Sequence, residues 1–366
     1  MDSQNNNARL LAILRGLLAE PADCPDAPRQ RVIFKSCAPD SGASGVTIDL
    51  EHVVSKAADA ELRSQLRAGL PQSAVRPDRI SMPGGRAYRI ERGAASARAP
   101  LQNEIVLVTG AAGAIGAGIC RGLLAQGAHV AAADLARDAL DNLVRELNPV
   151  APGRIMSVLM DVTDGVSVAG GFDAVAEAWG GVDIIVVNAG IAMVAPLVDL
   201  DVEAFRRLER VNVEGTLLTL AEAGRRLGRQ ATGGDIILIS TKNVFAPGAQ
   251  FGAYSATKAA AHQLARIASL ELAPLDIRVN MVAPDAVFSD GQRKSGLWAE
   301  VGPSRMKARG LDEKGLEEYY RNRNLLKARV TPDHVANAVI FFATRQTPTT
   351  GATIPVDGGL PDAAPR

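Results

Sequence analysis

The sequence predicts an α/β fold: a doubly wound parallel sheet of about seven strands, with a small α/β appendage at its amino end. Three observations carry this expectation. From Leu101 to Gly359, short apolar runs alternate with helix-like runs. A glycine-rich turn, Thr109-Gly110-Ala111-Ala112-Gly113-Ala114-Ile115-Gly116, directly follows the first of those apolar runs. The polar side chains able to do chemistry fall just after strands, where such a sheet binds ligands.

Residues 1–100 read as an accessory segment of unassigned role. A helix is expected at Ala8–Glu20; its apolar stretch Leu10 to Leu18 is broken by Arg15 and Gly16 and is too short to span a bilayer. Then come a Pro- and Asp-rich turn region Pro21–Pro28, a strand at Arg31–Lys35, a Ser/Gly loop at Ser41–Gly45, a strand at Val46–Leu50 and a helix at His52–Ala68. Pro71–Pro100, rich in Arg, Pro, Gly and Ala, reads as loop with one strand at Arg86–Ile90.

Residues 101–366 read as the catalytic unit. Its expected strands are Ile105–Val108, His129–Ala133, Arg154–Met160, Asp183–Val187, Asp235–Ile239, Arg278–Val282 and Thr353–Val356. Its expected helices are Ile115–Gln126, Ala136–Leu147, Gly165–Trp179, Val202–Gly228, Tyr254–Leu272 and Pro332–Ala343. Strand-helix alternation implies right-handed crossovers and a sheet covered on both faces, the Rossmann type.

Composition excludes several classes. Apolar residues make up 47% and charged residues 22%, enough for a large core. The formal net charge is zero, which gives no reason to expect nucleic acid or an anionic membrane as partner. Cys24, Cys37 and Cys120 show no metal-ligand spacing, and their odd number fits a reducing, cytoplasmic compartment.

The glycine turn suits a pyrophosphate. Gly110, Gly113 and Gly116 allow a tight turn and close backbone approach, and the following helix offers free N–H groups and a positive dipole end. The second strand ends in Asp134, which can accept from both ribose hydroxyls of an adenosine and repels a 2′-phosphate; this favours NAD over NADP. Tyr254 and Lys258, four residues apart, share one helical face. The ammonium is expected to lower the phenol's pKa, so that Tyr254 moves the proton while hydride passes to or from a nicotinamide.

Together these segments resemble the short-chain dehydrogenase/reductase family. The resemblance implies an NAD-dependent oxidoreductase acting on CH–OH donors. Ala114 and Ile115 complete the phosphate turn, with Ala114 replacing that family's middle glycine. The family's catalytic hydroxyl falls at Thr241, with Ser240 beside it as the alternative. Asn212 matches the helix Asn that holds a water leading to the Lys, and Lys258 also bonds the nicotinamide ribose. Asn188-Ala189-Gly190 stabilises the central sheet beside the adenosine. Asp161-Val162 flanks the adenine. Pro284, Val287 and Ser289 fall where the family contacts the nicotinamide amide, although Asp285 replaces the usual glycine after Pro284.

The resemblance narrows further. Thr241-Lys242-Asn243, Ser295-Gly296-Leu297-Trp298 and Val356-Asp357-Gly358-Gly359-Leu360-Pro361 are similar to the dehydrogenase half of bifunctional rhamnulose-1-phosphate aldolase/lactaldehyde dehydrogenases. Sorbitol-6-phosphate dehydrogenases share the Lys after the catalytic hydroxyl. The implied substrate is a small polyol, hydroxyaldehyde or sugar phosphate, with Lys242 as its anion contact. Asp290–Val330 lies at the substrate lid; its basic residues are interleaved with Asp312, Glu313, Glu317 and Glu318, so a solvated face competes with an anion-binding one. Two other classes stay open: a nucleotide-sugar epimerase or dehydratase with bound NAD, and a catalytically silent cofactor-binding protein. The family implies self-association to a dimer or tetramer through Val202–Gly228 and Tyr254–Leu272, which a monomer by light scattering would exclude. No metal site is expected.

Overall fold

The computed structural model describes residues 2–19, 31–38, 46–50, 53, 57–70, 76–92 and 99–361. Cys24, His52, the Pro21–Pro28 turn region and the Ser41–Gly45 loop lie outside the described residues.

The amino-terminal segment runs α1 (Asp2–Leu18), β1 (Val32–Cys37), β2 (Val46–Asp49), α2 (Asp59–Gly69), β3 (Pro77–Met82) and β4 (Arg86–Arg92). Its sheet has the order β1-β4-β3-β2. β4 pairs antiparallel with β1 and β3, and β2 pairs parallel with β3. Leu10, Leu14, Phe34, Leu62 and Ile80 are buried in its core. Two expectations need correction. The supposed loop after Pro71 contains a hairpin: Pro77 opens β3, where its missing N–H costs least, and Gly84 and Gly85 turn it with φ of +82° and +74°. The helix expected from His52 begins at Asp59.

The second sheet is built from β5 (Ile105–Thr109), β6 (His129–Asp134), β7 (Ile155–Leu159), β8 (Ile184–Val187), β9 (Gly234–Ile239), β10 (Ile277–Pro284) and β11 (Thr353–Val356). All seven strands are parallel, in the order β11-β10-β9-β8-β5-β6-β7. The order reverses between β5 and β8, so the crevice above the carboxyl ends of these strands is the place for a ligand. α3 (Ala114–Ala125), α4 (Arg137–Leu147), α5 (Gly165–Trp179), α6 (Val202–Glu209), α7 (Gly215–Gln230), α8 (Gly252–Glu271) and α11 (Pro332–Ala343) connect the strands. Between β10 and α11 stand α9 (Gly296–Arg309) and α10 (Glu313–Asn322). β5, β8 and β9 are buried along their whole length, as strands covered on both faces must be.

The helix expected at Val202–Gly228 is not continuous. A π-helical turn, Arg210–Glu214, separates α6 from α7 and carries the fully buried Asn212. Such turns widen the helix locally and re-aim its side chains.

The amino-terminal segment docks at the amino ends of the central strands. Arg15, 1% exposed, reaches Asp183 with Nη1 at 2.6 Å and Nη2 at 2.7 Å and donates Nε to the Val32 carbonyl at 2.7 Å. Arg31 pairs with Glu104 and stands 3.1 Å from Asp183. Gly180, with φ of +98°, ends α5 beneath Phe34, where a Cβ would lie 2.5 Å from the ring. Only glycine fits there on both counts.

Candidate active site

A cavity of about 670 Å³ opens at the carboxyl ends of the parallel strands. It runs from the glycine turn and Asp134 to Tyr254 and the α9–α10 segment.

At the first end the turn is shaped by close approach. Gly110 has φ of +62°, and a Cβ on it would lie 2.8 Å from Ala189 Cα. A Cβ on Gly116 would lie 2.3 Å from the Gly110 carbonyl oxygen. Gly113, the N-cap of α3, is less crowded: a Cβ on it would meet the Gly110 carbonyl oxygen at 3.5 Å, and no side chain caps the helix. The first-turn N–H groups of α3 are therefore free for a phosphate, and the residues present fit a dinucleotide. Ala114 starts α3, buried, without disturbing it; Ile115 lines the cavity beside it.

Asn188 locks the turn to the sheet. Its Nδ2 donates to the carbonyls of Thr109 and Gly110 at 3.0 and 2.9 Å. The Thr109 hydroxyl accepts from the N–H groups of Asn188 and Ala189 at 2.9 and 3.0 Å. This role of Thr109 was not assigned from the sequence, although the residue opens the turn motif. Asp134 braces the same turn: Oδ2 accepts from Ala112 N and Oδ1 from Ala136 N, each at 3.0 Å. Asp161 Oδ1 accepts from Thr163 N at 2.9 Å, and Asp161 and Val162 line the cavity.

At the second end Tyr254 and Lys258 stand one turn apart on α8, both buried. Thr241 stands beside the Tyr254 phenol, near enough to act on its pKa, and both line the cavity. Ser240 Oγ, by contrast, lies 2.9 Å from His262 Nδ1. Both hydroxyls belong to residues that line the cavity. Lys258 Nζ donates to the Ile239 carbonyl at 3.1 Å. Gly190 makes room for it: a Cβ there would lie 3.1 Å from both Lys258 Nζ and Asn212 Oδ1.

The expected lowering of the Tyr254 pKa is not what this arrangement produces. Burial pushes the phenol up to about 12, and Thr241 beside it only moderates the rise. Burial likewise pulls Lys258 down to about 8. Desolvation is the first cause in both, and no attraction between the two groups offsets it.

Two expected site residues do not line the cavity. Asn212 stands behind it, with Oδ1 accepting from Ile191 N at 2.9 Å and Nδ2 donating to Ile191 O at 2.9 Å and Thr257 Oγ1 at 3.0 Å. Ser289 forms an isolated β-bridge with Lys294, which lines the cavity while Ser289 does not. Pro284, Val287 and Lys242 do line it; Lys242 Nζ donates to the Ala246 carbonyl at 3.0 Å. The sequence did not single out Phe251, whose ring lies 6.2 Å from that of Tyr254.

The family model for short chain dehydrogenases matches residues 104–300. The chain belongs to the short chain dehydrogenase family. Members of that family bind nicotinamide cofactors. This short-chain dehydrogenase is 32% identical to L-2,3-butanediol dehydrogenase of Corynebacterium glutamicum over 263 residues, covering 70% of this chain and 98% of that one. It is 37% identical over 270 residues to an uncharacterized oxidoreductase of Bacillus subtilis, covering 73% of this chain but 39% of that longer relative. The crystal structure of sorbitol-6-phosphate 2-dehydrogenase from Erwinia amylovora superimposes with a TM-score of 0.65 at 29% identity, covering 70% of this chain and 98% of that one. Among the described residues no helix is long and apolar enough to cross a membrane, and no group of three His, Cys, Asp or Glu could hold a metal.

Proposed function

We propose that this short-chain dehydrogenase transfers hydride between NAD and the alcohol or carbonyl carbon of a small polyol, hydroxyaldehyde or sugar phosphate. The observation that carries the reading is the convergence of Thr241, Tyr254 and Lys258 in the cavity that also holds the glycine turn and Asp134. A bound nicotinamide supplies or accepts the hydride. Thr241 holds the substrate oxygen, and Tyr254 moves its proton. With a pKa raised to about 12, the phenol is a proton donor as it stands, suited to carbonyl reduction. Lys258 holds the nicotinamide ribose. Asn212 positions this pair through Ile191 and Thr257 rather than touching substrate. Ala189, Gly190, Asp161 and Val162 flank the adenosine half.

The polyol class rests on the names of the butanediol and sorbitol-6-phosphate relatives and on Thr241-Lys242-Asn243. The aldolase/lactaldehyde dehydrogenase branch remains part of this proposal, as do the division at residue 100 and self-association, for which exposed Leu217, Ile267 and Leu270 on α7 and α8 speak. The test is NADH absorbance with a polyol panel on wild type and Tyr254→Phe. Loss of the phenol is expected to lower kcat by about 10²–10⁴-fold with NAD affinity nearly unchanged. A variant keeping most of its rate sinks the assignment.

A further inference from the structure

We infer that Arg305 is the anion-recognising residue of the cavity and that the substrate carries an oxyanion, a carboxylate or a phosphate monoester. This deepens the proposed function and rests on it for the identity of the reacting end.

Arg305 sits on α9, 7% exposed, and lines the cavity. Two ring contacts join it to the proposed proton donor: its guanidinium lies 4.7 Å from the centre of the Phe251 ring, and that ring lies 6.2 Å from Tyr254. The wall around it is apolar, formed by Val301, Leu297 and Trp298 with Phe251. A substrate oxygen on Tyr254 would thus have its far end within this pocket.

The charge is unanswered. Arg305 Nη2 is 3.5 Å from the Tyr320 hydroxyl, at the limit of a hydrogen bond, and Nε is buried with no partner. Among the described residues no carboxylate pairs with it. Its neighbours at this end differ: Arg323 pairs with Asp285, and Lys294 lies 2.9 Å from Glu313. A buried charged donor left without a partner, as Nε is here, is costly. An apolar residue would pack against Phe251 and Tyr320 as well, without that cost. An oxyanion entering the cavity would accept from the fork in two parallel bonds, the geometry in which arginine excels.

The test is calorimetric titration of inorganic phosphate and of acetate into wild type, Arg305→Gln and the better-packing Arg305→Met, with kinetics on a polyol, its phosphate monoester and a hydroxy acid of the same length. Wild type is expected to bind at least one oxyanion; phosphate alone points to the ester, acetate alone to the acid. Both variants are expected to bind it at least tenfold more weakly and to raise KM at least tenfold for the anionic substrate, with KM for the neutral polyol within twofold. Wild type binding neither ion, variants binding as well as wild type, or failure of both variants to fold overturns the inference. Oxyanion binding that depends on Arg305 without any NAD reduction would sink the hydride reading and leave this one standing.

Discussion

Arg15 and Arg31, buried at the amino ends of the central strands, face Asp183 and Glu104; Lys258 and Arg305, buried at the carboxyl ends, face no carboxylate among the described residues. The same cost, taking a cation out of water, is handled in two ways. At the amino ends the charges satisfy one another, and Asp183 additionally accepts from Ile105 N at 2.8 Å. Burial acts to raise the Asp183 pKa, yet Arg15 and Arg31 hold it below the usual carboxylate value. That end is closed, and it joins the two sheets. At the carboxyl ends Arg323 and Lys294 are paired with Asp285 and Glu313, but Lys258 rests on a carbonyl and Arg305 on rings, so the electrostatic demand of these two is left for a ligand. Buried paired charge marks the joint, and a buried cation without a carboxylate marks the site.

The largest effect should come from breaking the joint. Asp183→Asn keeps the shape but leaves Arg15 without a counter-ion and Arg31 with Glu104 alone. The expected loss is about 3–5 kcal/mol of stability, the usual consequence of removing one partner from a buried pair. Denaturant melts of wild type and variant measure it. The folded fraction should keep its cavity, so kcat should move little. A change under about 1 kcal/mol would mean that these charges do not hold the segments together.

The contrast also explains what was legible in the sequence. The parallel sheet was readable because Ile105–Val108, Ile184–Val187 and Ile236–Ile239 are continuous apolar runs, a pattern dictated by burial on both faces. The turn residues that rest on backbone geometry, Gly110, Gly116 and Asn188, were readable from residue type and spacing. β4 was legible as the strand Arg86–Ile90, but β3 was hidden because only Ile80 and Met82 in it join the core, among Asp78, Arg79 and Ser81. The π turn at Asn212 leaves no mark in helical periodicity. The Ser240 hydroxyl's partner, His262, lies 22 residues downstream and could not be read from local spacing. Arg305 was one of many basic residues in the lid; what distinguishes it is the lack of a partner, a property of three-dimensional packing.

The second prediction sharpens the contrast through pH. Burial depresses Lys258 to about 8 from 10.5. Between these values the unfolded chain holds a proton that the folded chain has released, so stability rises with pH. The contribution from this one group is about 2 kcal/mol between pH 7.5 and 9.5. Tyr254, raised to about 12 from 10.0, works in the opposite direction but only above pH 10. Lys258→Met should therefore flatten the pH dependence of unfolding in this window relative to wild type. Parallel curves for the two proteins would show that Lys258 keeps its proton by finding a partner, and would erase the difference between the two ends.

Asp134 completes the comparison as an anion at the ligand end. No cation pairs with it among the described residues; its two oxygens accept from Ala112 N and Ala136 N, which orient the carboxylate at the end of β6 and leave it its full charge. Leu135, Ala136 and Ala139 line the cavity beside it, whereas Arg137, exposed, does not. A ribose with both hydroxyls free could donate to this carboxylate; a 2′-phosphate would meet it as a like charge, with Arg137 outside the cavity lining. The expected preference is NAD over NADP by tenfold or more in kcat/KM, roughly 1.4 kcal/mol. Asp134→Ser should bring the two cofactors within a few-fold of each other by removing the repulsion while retaining a hydroxyl. Equal use of NAD and NADP by wild type would show that an unpaired charge at this end does not report on the ligand, and the rule drawn from Lys258 and Arg305 would lose its clearest case.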